Sequence, residues 1–180
     1  GFIISETERL NRLVATLLDF ARPRAPEFKP LDIGALARQT AAMLAAQARK
    51  KNIEIDCAQT AGETVVECDE GQITQVLLNL LLNALQILPE NRHIAVATRL
   101  DGEDAVLEVA DDGPGIPAAL RERVFDPFFT QRGGGVGLGL VVVRQIVAAH
   151  GGEIEVFESK SGGALFQVRL PAHRKEGEIA

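Results

Sequence analysis

Residues 111–140 constrain this chain more than any other stretch. They read D-D-G-P-G-I-P, then V-F-D-P-F-F-T, then G-G-G-V-G-L-G-L, so two glycine clusters bracket an aromatic and proline segment that cannot be a regular element. Glycine lets backbone approach a ligand closely and adopt positive φ, at an entropic cost that a free surface loop has no reason to bear. The second cluster runs into L-V-V-V-R-Q-I-V-A-A-H. As a helix, that segment would turn its free N–H groups and positive dipole end toward the glycines, a ready site for phosphate. The spelling excludes two common nucleotide loops. A Walker loop needs a lysine after its glycines, and none follows here. A Rossmann turn needs G-x-G-x-x-G directly after a strand, whereas Phe-Phe-Thr-Gln-Arg precedes Gly135, Gly137 and Gly139.

Composition bounds the rest. The 180 residues, 46% of them hydrophobic, suffice for one domain with a real core plus a fragment. A net charge of -6 and few aromatics argue against nucleic acid as a partner, because backbone phosphates call for a basic face. Cys57 and Cys68 lack metal-ligand spacing and read as reduced thiols of a cytosolic protein. No run reaches the roughly 18 apolar residues of a membrane span, and no signal peptide is visible. The expectation is a soluble, cytosolic portion of a protein.

Along the chain, Ile3, Leu10, Leu13, Val14, Leu17 and Leu18 recur at helical spacing and predict an amphipathic helix over 3–21. The prolines of A-R-P-R-A-P-E-F-K-P end it and make a stiff connector, where a domain boundary is expected. Asp32 is placed to cap a helix over 33–49 with a mixed face of Leu36, Thr40, Met43, Leu44 and Gln47. Short strands are expected at 53–57 and 64–67.

Residues 69–88 form a helix apolar almost all round, which predicts burial. Its amides are not scattered: Gln72, Gln75, Asn79, Asn83 and Gln86 recur three or four apart as one narrow stripe. Buried amides need partners. The two asparagines either bond neighbouring backbone or turn their oxygens toward a hard cation.

Residues 94–100 and 105–110 read as a hairpin around Asp101-Gly102. By the period of two, Leu107, Val109 and Asp111 face inward together. An inward carboxylate is costly unless it accepts hydrogen bonds, from the exocyclic amine of a base or from loop backbone. Residues 140–150 are rich in valine, yet Gly151 and the alternating segments 153–158 and 164–170 favour a helix followed by a closing hairpin. The tail is charged. The sum is an α/β fold with a mixed, mostly antiparallel sheet under three helices.

With these residues laid out, residues 6–171 resemble the C-terminal catalytic part of bacterial two-component sensor histidine kinases, in the superfamily shared with gyrase and mismatch-repair ATPases. N-L-L-L-N-A is similar to the asparagine motif, D-D-G-P-G to the adenine motif, F-D-P-F-F to the aromatic motif and G-V-G-L-G-L to the phosphate-lid motif. F-A-R-P-R-A-P-E-F-K-P-L-D is most similar to the nitrogen-regulation type.

The resemblance implies a two-layer, Bergerat-type sandwich over 31–173. Before it would come the second helix of a dimerisation hairpin over 1–22 and a linker over 23–30, and after it a tail over 174–180. It implies ATP and magnesium as cofactors. Asn83 would ligate the metal with Asn79 in support, Asp111 would accept from the adenine amine, and Ile116 would pack near the base. The implied nucleotide site also draws on Gln86, Ile87, Gly113, Gly115, Phe125, Phe128, Thr130 and Arg132, and on the lid residues Gly135, Val136, Gly137, Leu138 and Gly139. Gln86 and Ile87 stand where many members have lysine and tyrosine, leaving one less cation for the phosphates. Arg132, Val136 and Ala164 stand where lysine, threonine and threonine are frequent.

The implied activity is transfer of the γ-phosphoryl of ATP to a histidine on the first hairpin helix, for relay to a response regulator by a homodimer, with membrane contact only through other parts of the parent protein. That acceptor lies outside these 180 residues. His93, His150 and His173 lack its context and read as surface or capping residues. Two other classes compete. A gyrase-like ATP-hydrolysing switch needs a glutamate at the position of Asn79 to activate water, and a non-catalytic nucleotide sensor needs binding alone.

Overall fold

The computed structural model describes residues 24–59, 63–130 and 137–172. The expected helix at 3–21, Arg132, Gly135, Val136, His173 and the tail lie outside them. Among the described residues, seven strands and three α-helices make two layers. Strand β1 (Lys29–Asp32) pairs antiparallel with β3 (Val65–Cys68). The main sheet is built from β2 (Glu54–Gln59), β4 (His93–Asp101), β5 (Asp104–Asp111), β6 (Glu153–Glu158) and β7 (Ala164–Pro171), in the order β2-β4-β5-β7-β6. Only β2 with β4 is parallel, so the sheet is mixed and mostly antiparallel. Helices α1 (Ile33–Lys50), α2 (Glu70–Ile87) and α3 (Gly139–Ala149) pack with it, α2 lying between the other two.

Local chemistry explains the boundaries. Asp32 caps α1, its Oδ1 accepting from Gly34 N–H at 3.0 Å and from Thr64 N–H at 3.2 Å, which also fastens the helix start to the residue just ahead of β3. Arg49 and Lys50 sit favourably in its last turn. Asp69 caps α2 through Gln72 N–H at 2.9 Å. At the other end Pro89 bars further helix, and the Lys51 ammonium donates to the Leu85 and Leu88 carbonyls at 2.8 and 3.0 Å. β1 starts at Lys29, two residues before the expected domain start.

The core is one cluster. Leu107 and Val109 of β5, with Phe166 and Val168 of β7, meet Leu77, Leu80, Leu81 and Leu85 of α2 and Val143 and Val147 of α3. Two expectations about helix faces need correction. On α1, Met43 is 58% exposed and Gln47 is exposed; the inward face is Leu36, Ala37, Thr40, Ala41, Leu44 and Ala48. Small alanines let the helix lie close, and the bulky residue is left outside. Helix α2 is not buried all round, because its amide stripe is half-buried from Gln72 to Asn83 and exposed at Gln86. The aromatic segment, expected to be irregular, includes a 3₁₀ turn at Arg123–Phe125, preceded by another at Ala118–Leu120. Cys57 and Cys68 are free thiols, and burial pushes the Cys68 thiol up to about 11.

Asp69 carries more than one bond, since Oδ2 also accepts from Glu27 N–H at 2.8 Å. The Glu27 N–H and then the Gln72 N–H hold its carboxyl below the usual range. A depressed carboxyl contributes stability above the unfolded value and loses it as pH falls through the folded value. Asp69→Ala should therefore cost about 1 kcal/mol near neutrality. Urea melts at stepped pH should show the gap to the parent narrowing below the ordinary carboxylate range.

Candidate nucleotide site

Asp111 ends β5 on the inward side, 5% exposed. Two backbone donors meet its Oδ1, Gly113 N–H at 2.9 Å from the loop that follows and Ala164 N–H at 3.2 Å from the start of β7. Both recorded bonds fall on one oxygen, which leaves Oδ2 able to accept from a ligand. Burial pushes this carboxyl above its usual range. The two N–H groups pull it back, and the neighbouring Asp112 carboxylate adds a smaller upward push.

The walls are set by close approach. Gly163 is pressed onto Asp111 so tightly that a Cβ there would come within 2.1 Å of the Asp111 carbonyl oxygen and 2.3 Å of Oδ1. Gly113 lies against the end of α2, where a Cβ would stand 2.9 Å from Leu88 Cδ2 and 3.6 Å from Ile87 Cγ2. Gly115 packs beside the Gly162 and Gly163 carbonyls, and Ile116 is partly buried against the core.

The second cluster meets the aromatic motif. Gly137 has φ 69°, and a Cβ on it would fall 2.5 Å from the Phe129 carbonyl oxygen; its own carbonyl accepts from Phe128 N–H at 3.1 Å. Phe128 itself holds φ 64° and is 64% exposed, whereas Phe125 is buried in the core under the Arg144 guanidinium. Thr130 is exposed.

Helix α3 then begins with no side-chain cap and no acidic residue in its first turn, at the buried Leu138. Val142 N–H donates to the Leu138 carbonyl at 3.0 Å, and the amides ahead of it, as at the start of any α-helix, have no acceptor within the helix. Asn79 Nδ2 donates to the Gly139 carbonyl at 3.3 Å, which brings the amide stripe of α2 beside this start. One turn on, Asn83 is half-buried and has no recorded side-chain bond among the described residues. Thus the expectation of backbone bonding fits Asn79, and Asn83 keeps its oxygen available.

The structure brings Asn79 beside Gly139, Gly137 beside Phe128, and Ile87, Gly113 and Asp111 together. Phe125 is buried in the core, and Gln86, Phe128 and Thr130 are exposed. Sequence reasoning missed Leu88, Gly162 and Gly163. The paired glycines between two alternating segments, S-G-G-A, were the signal for the last two. His150, expected at the surface or as a cap, is the residue that closes α3, but it is only 6% exposed and bonded on both ring nitrogens.

A buried acceptor at a strand end, a glycine-lined wall and an uncapped helix start beside an amide stripe define a nucleotide-binding α/β sandwich. Residues 68–174 match the family of histidine kinase-, DNA gyrase B- and HSP90-like ATPases, and the chain belongs to it. Sensor histidine kinase ZraS of Escherichia coli O157:H7 is 36% identical over 170 residues, which cover 93% of this chain and 37% of ZraS. Full-length ShkA in complex with AMPPNP is similar at TM-score 0.85 and 33% identity, over 97% of this chain and 38% of ShkA. The histidine kinase ThkA in complex with response regulator protein TrrA is similar at TM-score 0.82 and 31% identity, over 96% and 50%. The chain therefore spans 37% of the length of that ZraS relative.

Asp111→Asn should bind nucleotide about ten- to a hundredfold more weakly, the worth of a charge-assisted hydrogen bond. The amide oxygen would keep the Gly113 and Ala164 bonds and so turn Nδ2, a donor, to where Oδ2 accepted. Because burial raises this carboxyl, its ionised form costs the fold stability above the usual carboxylate range, so the melting temperature should hold or rise. Titration with a fluorescent ATP analogue, beside thermal melts, reads both; unchanged affinity would remove Asp111 from the site.

Proposed function

We propose that this chain is the ATP-binding catalytic domain of a sensor histidine kinase, handing the γ-phosphoryl of ATP to a histidine on a dimerisation hairpin, for relay to a response-regulator aspartate. The observation that carries this is the start of α3, uncapped and free of acid, held against the amide stripe by Asn79. Such an end attracts phosphate through its N–H groups and dipole. Asp111 supplies the complementary acceptor for an adenine amine, and Ile87 and Ile116 supply apolar surface near the base. Phosphoryl transfer asks mainly for alignment and charge neutralisation.

The residues also suit magnesium. Among the described residues no group of three or more His, Cys, Asp or Glu offers a protein cage. Asn83 offers a neutral, hard amide oxygen of the kind that joins phosphates and water around such an ion. Magnesium bound there would neutralise phosphate charge. With Gln86 and Ile87 replacing a lysine and tyrosine pair, the chain supplies less cationic help of its own.

The same reading assigns residues 31–173 to the catalytic domain, 23–30 to the linker and 1–22 to the second hairpin helix, whose leucine stripe would join a homodimer on the cytosolic side. Among the described residues no helix is long and apolar enough to cross a membrane. Hydrolysis as the main task is disfavoured by Asn79. Its Nδ2 is engaged by Gly139, and an amide cannot serve as a general base, a role worth about 10² to 10⁴ in rate.

Asn83→Ala should abolish most of the gain in ATP affinity that magnesium brings, while ADP binding without metal changes little. Equal losses with and without the ion would make Asn83 structural.

Incubation with γ-labelled ATP and a separately supplied hairpin bearing the acceptor tests the activity. Acid-labile label should accumulate on the hairpin and not on this chain, with little free phosphate. Rapid phosphate release would move the protein to the hydrolysing class, and tight binding without transfer would make it a nucleotide sensor.

A further inference from the structure

Helices α2 and α3 are fastened to each other twice. At the nucleotide end, Asn79 Nδ2 donates to the Gly139 carbonyl at 3.3 Å. At the far end, Asp69 N–H donates to His150 Nε2 at 3.1 Å. The helices are thus antiparallel, and the spans between pins match: ten residues from Asp69 to Asn79 and eleven from Gly139 to His150, about 15 and 16 Å at 1.5 Å per residue. A backbone N–H only donates, so Nε2 must carry the lone pair and Nδ1 the proton, which goes to the Ile146 carbonyl at 2.8 Å. The imidazole is held on both sides and buried.

The same corner holds the segment ahead of β1. Glu27 N–H donates to Asp69 Oδ2 at 2.8 Å, Gln72 Nε2 donates to the Arg24 carbonyl at 2.8 Å, and the Phe28 and His150 rings meet edge to face with centroids 5.2 Å apart. Asp69 therefore joins three parts: Oδ1 to its own helix, N–H to α3 and Oδ2 to the segment 24–28.

We propose that His150 is a positioning residue for the nucleotide site. By fixing the axial register of α3 against α2 it sets where the uncapped start of α3 stands relative to Asn79 and Asn83, and it couples nucleotide at that end to docking of segment 24–28 at the other. The inference rests on the nucleotide reading above. α3 is a stiff rod of three turns, and it cannot slide along α2 at the glycine end without straining the Asp69–His150 bond at the other. Coupling between two ligands of one frame is reciprocal: whatever nucleotide does to the docked segment, the segment does to nucleotide.

The test uses the 180-residue chain, ATP-analogue affinity and amide exchange at Glu27. Nucleotide should slow Glu27 exchange in the parent. His150→Leu, which fills the volume without an acceptor, should weaken affinity about fivefold, the worth of one net hydrogen bond. His150→Gln, whose amide oxygen can reach the Asp69 N–H, should recover most of the loss. Glu27→Pro removes the N–H given to Asp69 in a segment outside the core, and should weaken affinity about two- to threefold even if His150→Leu fails to fold. Equal weakening in the Leu and Gln variants would reduce His150 to a space filler and overturn its positioning role. Parent affinity in Glu27→Pro, with Glu27 exchange indifferent to nucleotide, would overturn the coupling while leaving the nucleotide reading intact. A parent chain that binds no nucleotide would overturn that reading and the coupling with it.

Discussion

A carboxylate at the inward end of β5 governs the architecture around it. Asp111 sits where the neighbouring inward residues, Leu107 and Val109, are core, and a charge there is tolerated only with donors in fixed places. One donor comes from the loop that leaves β5 and the other from the start of β7, so the carboxylate ties that loop to the neighbouring strand. The β5–β7 register, with Ala110 opposite Leu165, brings the Gly162-Gly163 turn directly over it. Glycine at 163 follows from that register, since any side chain would collide with the carboxylate it shelters. The arrangement leaves the acid raised, a cost to the fold that makes sense when a ligand completes the bonding.

Much of this was legible in the sequence because it rests on local chemistry. The caps Asp32 and Asp69 precede their helices by one residue, the hairpin at Asp101-Gly102 announces itself, and the inward side of Asp111 follows from alternation. For residues 140–150, three consecutive valines argued for strand, yet the helix forms because its apolar face, with Val143 and Val147 nearly fully buried, outweighs propensity. The failures share a cause in long-range geometry. Met43 lies outside because α1 packs through alanines, a choice set by how close the helix comes to the sheet. The environment of His150 is decided by Asp69, 81 residues away, and no local pattern reports that distance.

Two asparagines one turn apart stand in different settings, and packing is what separates them. The sequence left two alternatives open for the pair, backbone bonding or cation binding. α3 begins against α2 at the level of Asn79, so that amide spends its N–H on the Gly139 carbonyl and becomes part of the scaffold. Asn83, a turn farther along α2, lies past that contact and keeps its oxygen. An amide serves the first position better than a carboxylate, because only an amide can donate to a carbonyl. The same substitution that makes Asn79 a fastener therefore removes the general base that a hydrolase would need there.

The start of α3 completes the argument. A serine, threonine or aspartate at a helix N-cap is worth about 1 kcal/mol, and the two other helices each have one. α3 has Leu138, 1% exposed, whose side chain is committed to the core and offers no acceptor. An oxygen at 138 would stabilise the helix but would also occupy the amides that the proposed function assigns to phosphate. The leucine does two things at once: it anchors the end of the glycine loop in the core and leaves the helix dipole unanswered. A helix end left open in this way is stable only because its body is buried elsewhere, which is why the apolar packing of Val142, Val143 and Val147 and the open first turn belong to one design.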